Sequence, residues 1–223
     1  MSSTIKTDKS KMLTIVGIAI MILLVLTKVV PTSQLAQYSL FVGLAFFFIV
    51  EGVAKTPDAE SGLRFKTFFT DLKKPGVLPW TLLPIATAIG SILLGNILFG
   101  DGYVDHVLGR TASILSFDQI ALFAIQLIFA ALGEEIAFRG FFVGKGTNLF
   151  PYWLCAVVSS AVFAAAHITV GSFGIVVFDI VGIFIDSLIY TTIYKKTENC
   201  LISTVGHLLC NASGFAFIFL VLS

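Results

Sequence analysis

Long apolar runs alternate with short polar breaks along the whole chain, and the runs set the architecture. A helix needs about 20 residues to cross about 30 Å of hydrocarbon. Seven runs reach that length: about 12–30, 35–54, 77–99, 118–138, 151–170, 173–194 and 200–222. The pattern predicts an all-α, polytopic transmembrane bundle of about seven spans, with an eighth helix if one is re-entrant or split. The first run has a basic flank in Lys6, Lys9 and Lys11. At about 18 residues it is longer than the apolar core of a signal peptide, so it reads as a span.

Two polar stretches interrupt the pattern. In 55–76, Phe65, Phe68, Phe69 and Leu72 recur at near-helical spacing among Arg64, Lys66, Lys73 and Lys74. That predicts a basic amphipathic helix on the membrane surface. The stretch 100–117, with Asp101, Asp105, His106 and Arg110, reads as an outer loop in which His106 is solvated. The chain divides into spans 1–3 with their basic loop (1–117) and spans 4–7 (118–223), as one integral-membrane domain.

Composition narrows the class further. Apolar residues make up 57% of the 223 positions and charged residues 12%, with a mean hydropathy of +0.98. These values exclude a soluble globular domain, a disordered chain and a basic nucleic-acid-binding module. Lys and Arg number 14 and Asp and Glu 13, so charge placement says more than net charge. With the N-terminus in the cytosol, 12 of the 14 basic residues fall on the inner side, leaving Lys28 and Arg110 outside. Cys155, Cys200 and Cys210 show no paired spacing, so neither a disulfide framework nor a zinc ribbon is legible.

Ionisable groups at bilayer depth cost about 2.5–3.5 kcal/mol each on insertion scales and therefore point to function. Span 4 carries Glu134, Glu135 and Arg139. Glu135 and Arg139 are four apart and share a helical face, which predicts an ion pair; Glu134 is rotated about 100° away and is free to titrate. Span 5 carries Phe163 and His167, also four apart, so the ring packs beside the imidazole. Span 7 repeats the spacing in His207 and Asn211, two groups able to donate hydrogen bonds into one cavity. Reckoned from the inner ends at about 1.5 Å per residue, with span 4 extended to about residue 144, Glu134, His207 and Asn211 lie about 15, 11 and 17 Å deep. His167 lies about 24 Å deep, roughly two turns out of register with them. Asp179 and Asp186, seven apart on span 6, share a face and suit a polar cavity wall or an inter-helix bond.

Glu134-Glu135…Arg139, Phe163…His167 and His207…Asn211, in that order, resemble the CAAX-protease and bacteriocin-processing (CPBP, or Abi) family of intramembrane glutamate proteases. The resemblance covers about 118–214, and Asp186 stands where that family would have glycine or an apolar residue. It implies an endopeptidase of the membrane acting on a membrane-associated or lipidated precursor. Glu134 and His167 would activate a water molecule, His207 and Asn211 would stabilise the oxyanion, and Glu135, Arg139 and Phe163 would support them. The partners expected are lipid and a peptide or protein substrate, without nucleic acid. The site is expected in the cytosolic half of a bacterial cell membrane, with no metal. A zinc ion held by Glu134, His167 and His207 is the alternative. A non-proteolytic immunity or regulatory protein that binds a bacteriocin-like peptide or a membrane partner is the competing class.

Overall fold

The computed structural model describes residues 2–29, 34–57, 60–112 and 115–222. Residues 30–33, at the expected first turn, and the side chain of Lys6 lie outside the described residues. The described chain is helical, in the order α1 (Ser2–Leu26), α2 (Tyr38–Ala54), α3 (Phe68–Leu72), α4 (Val77–Phe99), α5 (Asp101–Thr111) and α6 (Ile120–Glu135). A π-helical segment, Ile136–Val143, and the short turn α7 (Gly144–Gly146) continue α6. Then come α8 (Tyr152–Ala166), α9 (Phe173–Thr197) and α10 (Cys200–Phe217), which ends in a π-helical turn.

Among the described residues, six helical stretches are long and apolar enough to cross a membrane: Asp8–Leu26, Leu35–Ala54, Val77–Phe99, Ile120–Gly146, Phe173–Thr197 and Cys200–Leu222. This is an integral membrane protein. The expected fifth span, 151–170, is the shorter α8, which stops at Ala166. His167 ends it: its Nδ1 lies 2.7 Å from the Phe163 carbonyl oxygen, and its backbone N–H turns to Ala164 instead of continuing the i−4 ladder.

The central packing is built on α4, α9 and α10, with α6 against α10 and α8 against α9. The α1–α2 pair closes over the π segment, whose eight residues are all buried. Close approach there needs Gly43, since a Cβ on it would come within 2.6 Å of the Ala137 Cβ. Core side chains such as Met21, Phe47, Phe141 and Cys155 fill the space between these layers.

Two loop expectations change. In the described part of the 55–76 stretch, 55–57 and 60–76, there is no long surface helix but a run of bends and turns with the five-residue α3; 58 and 59 lie outside the described residues. Tertiary hydrogen bonds hold it to the α9–α10 corner: Arg64 N–H donates to Asn199 Oδ1 at 3.1 Å, Asn199 Nδ2 donates to the Arg64 carbonyl at 2.8 Å, and the Arg64 guanidinium bonds the Thr197 carbonyl. Those bonds use backbone groups that a continuous helix would have spent on itself. Phe65 and Phe69 stay exposed. Asp71 is the hub of the corner, taking Lys74 Nζ at 2.8 Å, Thr67 Oγ1 at 2.6 Å and Asn199 Nδ2 at 3.0 Å. Burial alone would push its carboxyl up, but these bonds and the Arg64 charge outweigh it and hold the group below the usual carboxylate range.

The 100–117 stretch is not an open loop either. Asp101–Thr111 forms α5, packed on α4 and α9 with Tyr103 and Val107 buried. Gly95 makes room for it, because a Cβ there would meet the Tyr103 ring at 2.3 Å. His106 is not solvated: its side chain is 7% exposed and Nε2 lies 3.4 Å from Asp179 Oδ2. A carboxylate inside an apolar bundle requires partners, and α5 supplies two of them in His106 and Arg110.

Candidate active site

Glu134, at the last turn of α6, stands between two imidazoles from other helices. Its Oε1 lies 4.0 Å from His167 Nε2 and its Oε2 3.6 Å from His207 Nε2. The depth mismatch reckoned for His167 is therefore absent from the folded bundle. Both rings are fixed from behind. Since a carbonyl oxygen only accepts, the 2.7 Å contact makes His167 Nδ1 a donor to Phe163 and turns Nε2 toward Glu134. His207 Nδ1 lies 3.0 Å from Glu135 Oε1, which turns its Nε2 to the same carboxylate.

Glu135 and Arg139 form the ion pair that the i, i+4 spacing predicts, with Arg139 Nη1 3.1 Å from Glu135 Oε1 and both side chains fully buried. Arg139 Nη2 also donates to the Ser187 carbonyl at 3.0 Å and to Ser187 Oγ at 2.8 Å. Its guanidinium sits 4.7 Å from the Phe163 ring centre and 5.2 Å from that of Tyr190. Arg139 is thus inside the bundle and not in an inner loop, so it drops out of the topological charge count. The adjacent glutamates do separate physical work: Glu135 is locked into the scaffold, while Glu134 faces a chamber with no partner at hydrogen-bond distance among the described residues.

Phe163 and Tyr190 wall the imidazoles. Phe163 lies 4.7 Å from the His167 ring and 6.0 Å from that of His207, and Tyr190 stacks on His207 at 4.6 Å and 17°. The chamber opens into a cavity of about 200 Å³ whose lining includes Glu134, His167, His207, Asn211, Asp179, Asp186 and Arg110. Asn211 lines it as well, its side-chain amide without a hydrogen bond among the described residues. Asp186 accepts from Thr87 Oγ1 at 2.5 Å and from Cys210 Sγ at 3.5 Å.

Sequence spacing thus finds Glu134, His167, His207 and Asn211, and the fold brings all four to one cavity. It misses the bond from His207 to Glu135, because the 72 residues between them carry no periodic signal. Tyr190 and Ser187 were also passed over. A signal for Tyr190 does exist: it lies four residues after Asp186 and eleven after Asp179, on the same face of α9. Among the described residues, no group of three or more His, Cys, Asp or Glu is arranged to hold a metal ion.

The fold and the site together define an integral membrane protein with a carboxylate and two imidazoles facing one cavity. Residues 116–213 match a family model described as Type II CAAX prenyl endopeptidase Rce1-like, the same family type that the motifs resemble. The matched segment carries Glu134, Phe163, His167, Tyr190, His207 and Asn211 but not Arg110, and lends no support to the non-proteolytic alternative. No curated protein and no solved structure matches the chain.

Proposed function

We propose that this protein is an intramembrane endopeptidase that hydrolyses a peptide bond of a membrane-associated or lipidated protein or peptide, with water as the nucleophile. The observation that carries the reading is Glu134 set between two oriented Nε2 atoms at 3.6 and 4.0 Å. Those gaps are too long for direct hydrogen bonds and suit a water held between the groups. Glu134 takes a proton from that water while His167 Nε2 orients it, and the hydroxide attacks the scissile carbonyl carbon. The oxyanion accepts from the Asn211 amide and from Nε2–H of doubly protonated His207, whose other N–H stays on Glu135. Collapse breaks the C–N bond, and Glu134 returns its proton to the leaving amine.

We read substrate access from the α5 end of the bundle, because the cavity lining runs that way. The test is cleavage of a farnesylated, fluorogenic CAAX peptide by detergent-purified protein, with and without a chelator. We expect turnover that a chelator leaves intact and that Glu134→Gln abolishes. Reactivation of a chelator-treated enzyme by zinc would overturn the metal-free mechanism, and full activity of Glu134→Gln would remove the general base.

A further inference from the structure

Resting on the peptidase reading, we propose that Arg110 anchors a carboxylate of the substrate peptide and so sets which bond reaches Glu134. Arg110 is the one Lys or Arg on the described cavity lining. It is held in place from behind: Nε lies 3.2 Å from Asp179 Oδ2 and Nη2 donates to Asp179 Oδ1 at 3.4 Å, a side-on ion pair that leaves the Nη1 edge uncommitted among the described residues. Asp179 is itself buried and pinned, with His106 Nε2 at 3.4 Å on the same oxygen. Two cationic or donor groups thus share one carboxylate, so Asp179 orients Arg110 without monopolising its charge.

The position suits recognition. Arg110 lines the same cavity as Glu134 and His167. Asp186, another acid on the lining, has its two oxygens engaged by Thr87 and Cys210. The chemistry a fixed guanidinium edge selects is a planar carboxylate, bound by charge-assisted hydrogen bonds. In a peptide that group is the C-terminal α-carboxylate or an Asp or Glu side chain. Its seat on α5, across the cavity from the glutamate, would fix the distance between that carboxylate and the scissile bond.

The experiment uses one farnesylated fluorogenic peptide in three forms: free C-terminal acid, C-terminal amide, and amide with aspartate as the last residue. Wild type should prefer the free acid over the plain amide by about 10- to 100-fold in kcat/KM, expressed mainly in KM. Arg110→Gln should bring that ratio to about one. Rescue by the aspartate peptide in wild type would make any carboxylate sufficient; no rescue would restrict the anchor to the C-terminus. If Arg110→Gln does not fold, Arg110→Lys carries the test, since an ammonium facing Asp179 cannot supply the guanidinium edge, and its ratio should fall as well. Cleavage of acid and amide at equal rates by wild type, or an undiminished ratio in the variants, would overturn the anchor and leave the peptidase intact. Absence of cleavage of every peptide by wild type would remove the peptidase reading and the anchor together.

Discussion

Exchanging a glutamate for glutamine at two successive positions should produce opposite failures. Glu135→Gln deletes the charge that faces Arg139 at 3.1 Å and His207 Nδ1 at 3.0 Å, in a place with no exposure to solvent. Breaking one side of a buried ion pair costs about 3–5 kcal/mol, because the surviving charge keeps its desolvation penalty. In a chain of this length each kcal/mol is worth about 2–4 °C, so a loss of about 10 °C in melting temperature is expected. Glu134→Gln removes a group whose nearest partners stand at 3.6 and 4.0 Å and whose side chain is 21% exposed, so no comparable bond is lost. It should melt within about 2 °C of wild type and lose turnover by about 10²- to 10⁴-fold, the range for a general base. Melting in detergent and peptide turnover, measured on the same preparations, decide the matter. A cold-melting but active Glu134→Gln beside a stable, inactive Glu135→Gln would refute the division of labour.

Asn211→Ala, which breaks no side-chain hydrogen bond among the described residues, should lower kcat by about 10²- to 10³-fold with KM within a few-fold and melting unchanged; an active, destabilised variant would assign it to folding. A reporter fused after residue 223 should lie outside the cell and one inserted within 60–66 inside, since 11 of the 14 basic residues still fall on one side once the buried Arg139 is left out. Cytosolic activity of the C-terminal fusion would reverse the bundle or change the span number. Asp71, held below the usual carboxylate range, contributes stability above its unfolded value of about 3.9 and loses it as pH falls through the lower folded value. Protease nicking of the 60–76 segment should therefore rise below about pH 4 in wild type and be present at neutral pH in Asp71→Asn; equal resistance of the two at pH 7 would count against the clamp.

Periodicity exposed what is repeated locally. Apolar run length marked the spans, and i, i+4 spacing marked Glu135 with Arg139, Phe163 with His167, and His207 with Asn211. What escaped depends on distant partners. Residues 60–76 carry a helical hydrophobic spacing, yet the corner built by Thr197 and Asn199 competes for the backbone of Arg64 and wins. His106 looked solvated because its partner, Asp179, is 73 residues away, and a buried acid on one helix does not announce which surface helix will cover it. The end of α8 escaped for a chemical reason: the sequence stays apolar through Ile168, while the His167 imidazole takes up the Phe163 carbonyl.

The shortness of α8 links this molecule to the thickness of the lipid around it. Fifteen residues at about 1.5 Å each span about 22 Å, some 8 Å less than an ordinary hydrocarbon layer. The chain then runs without helix from His167 to Ser172 at a depth where unbonded backbone is tolerated only beside protein or water. A bilayer that thins next to α8 to meet it would draw the headgroups and their water toward His167. On the peptidase reading the site needs water, and a dip beside one short helix would provide it. Thickening the host bilayer should starve the site without altering a single residue.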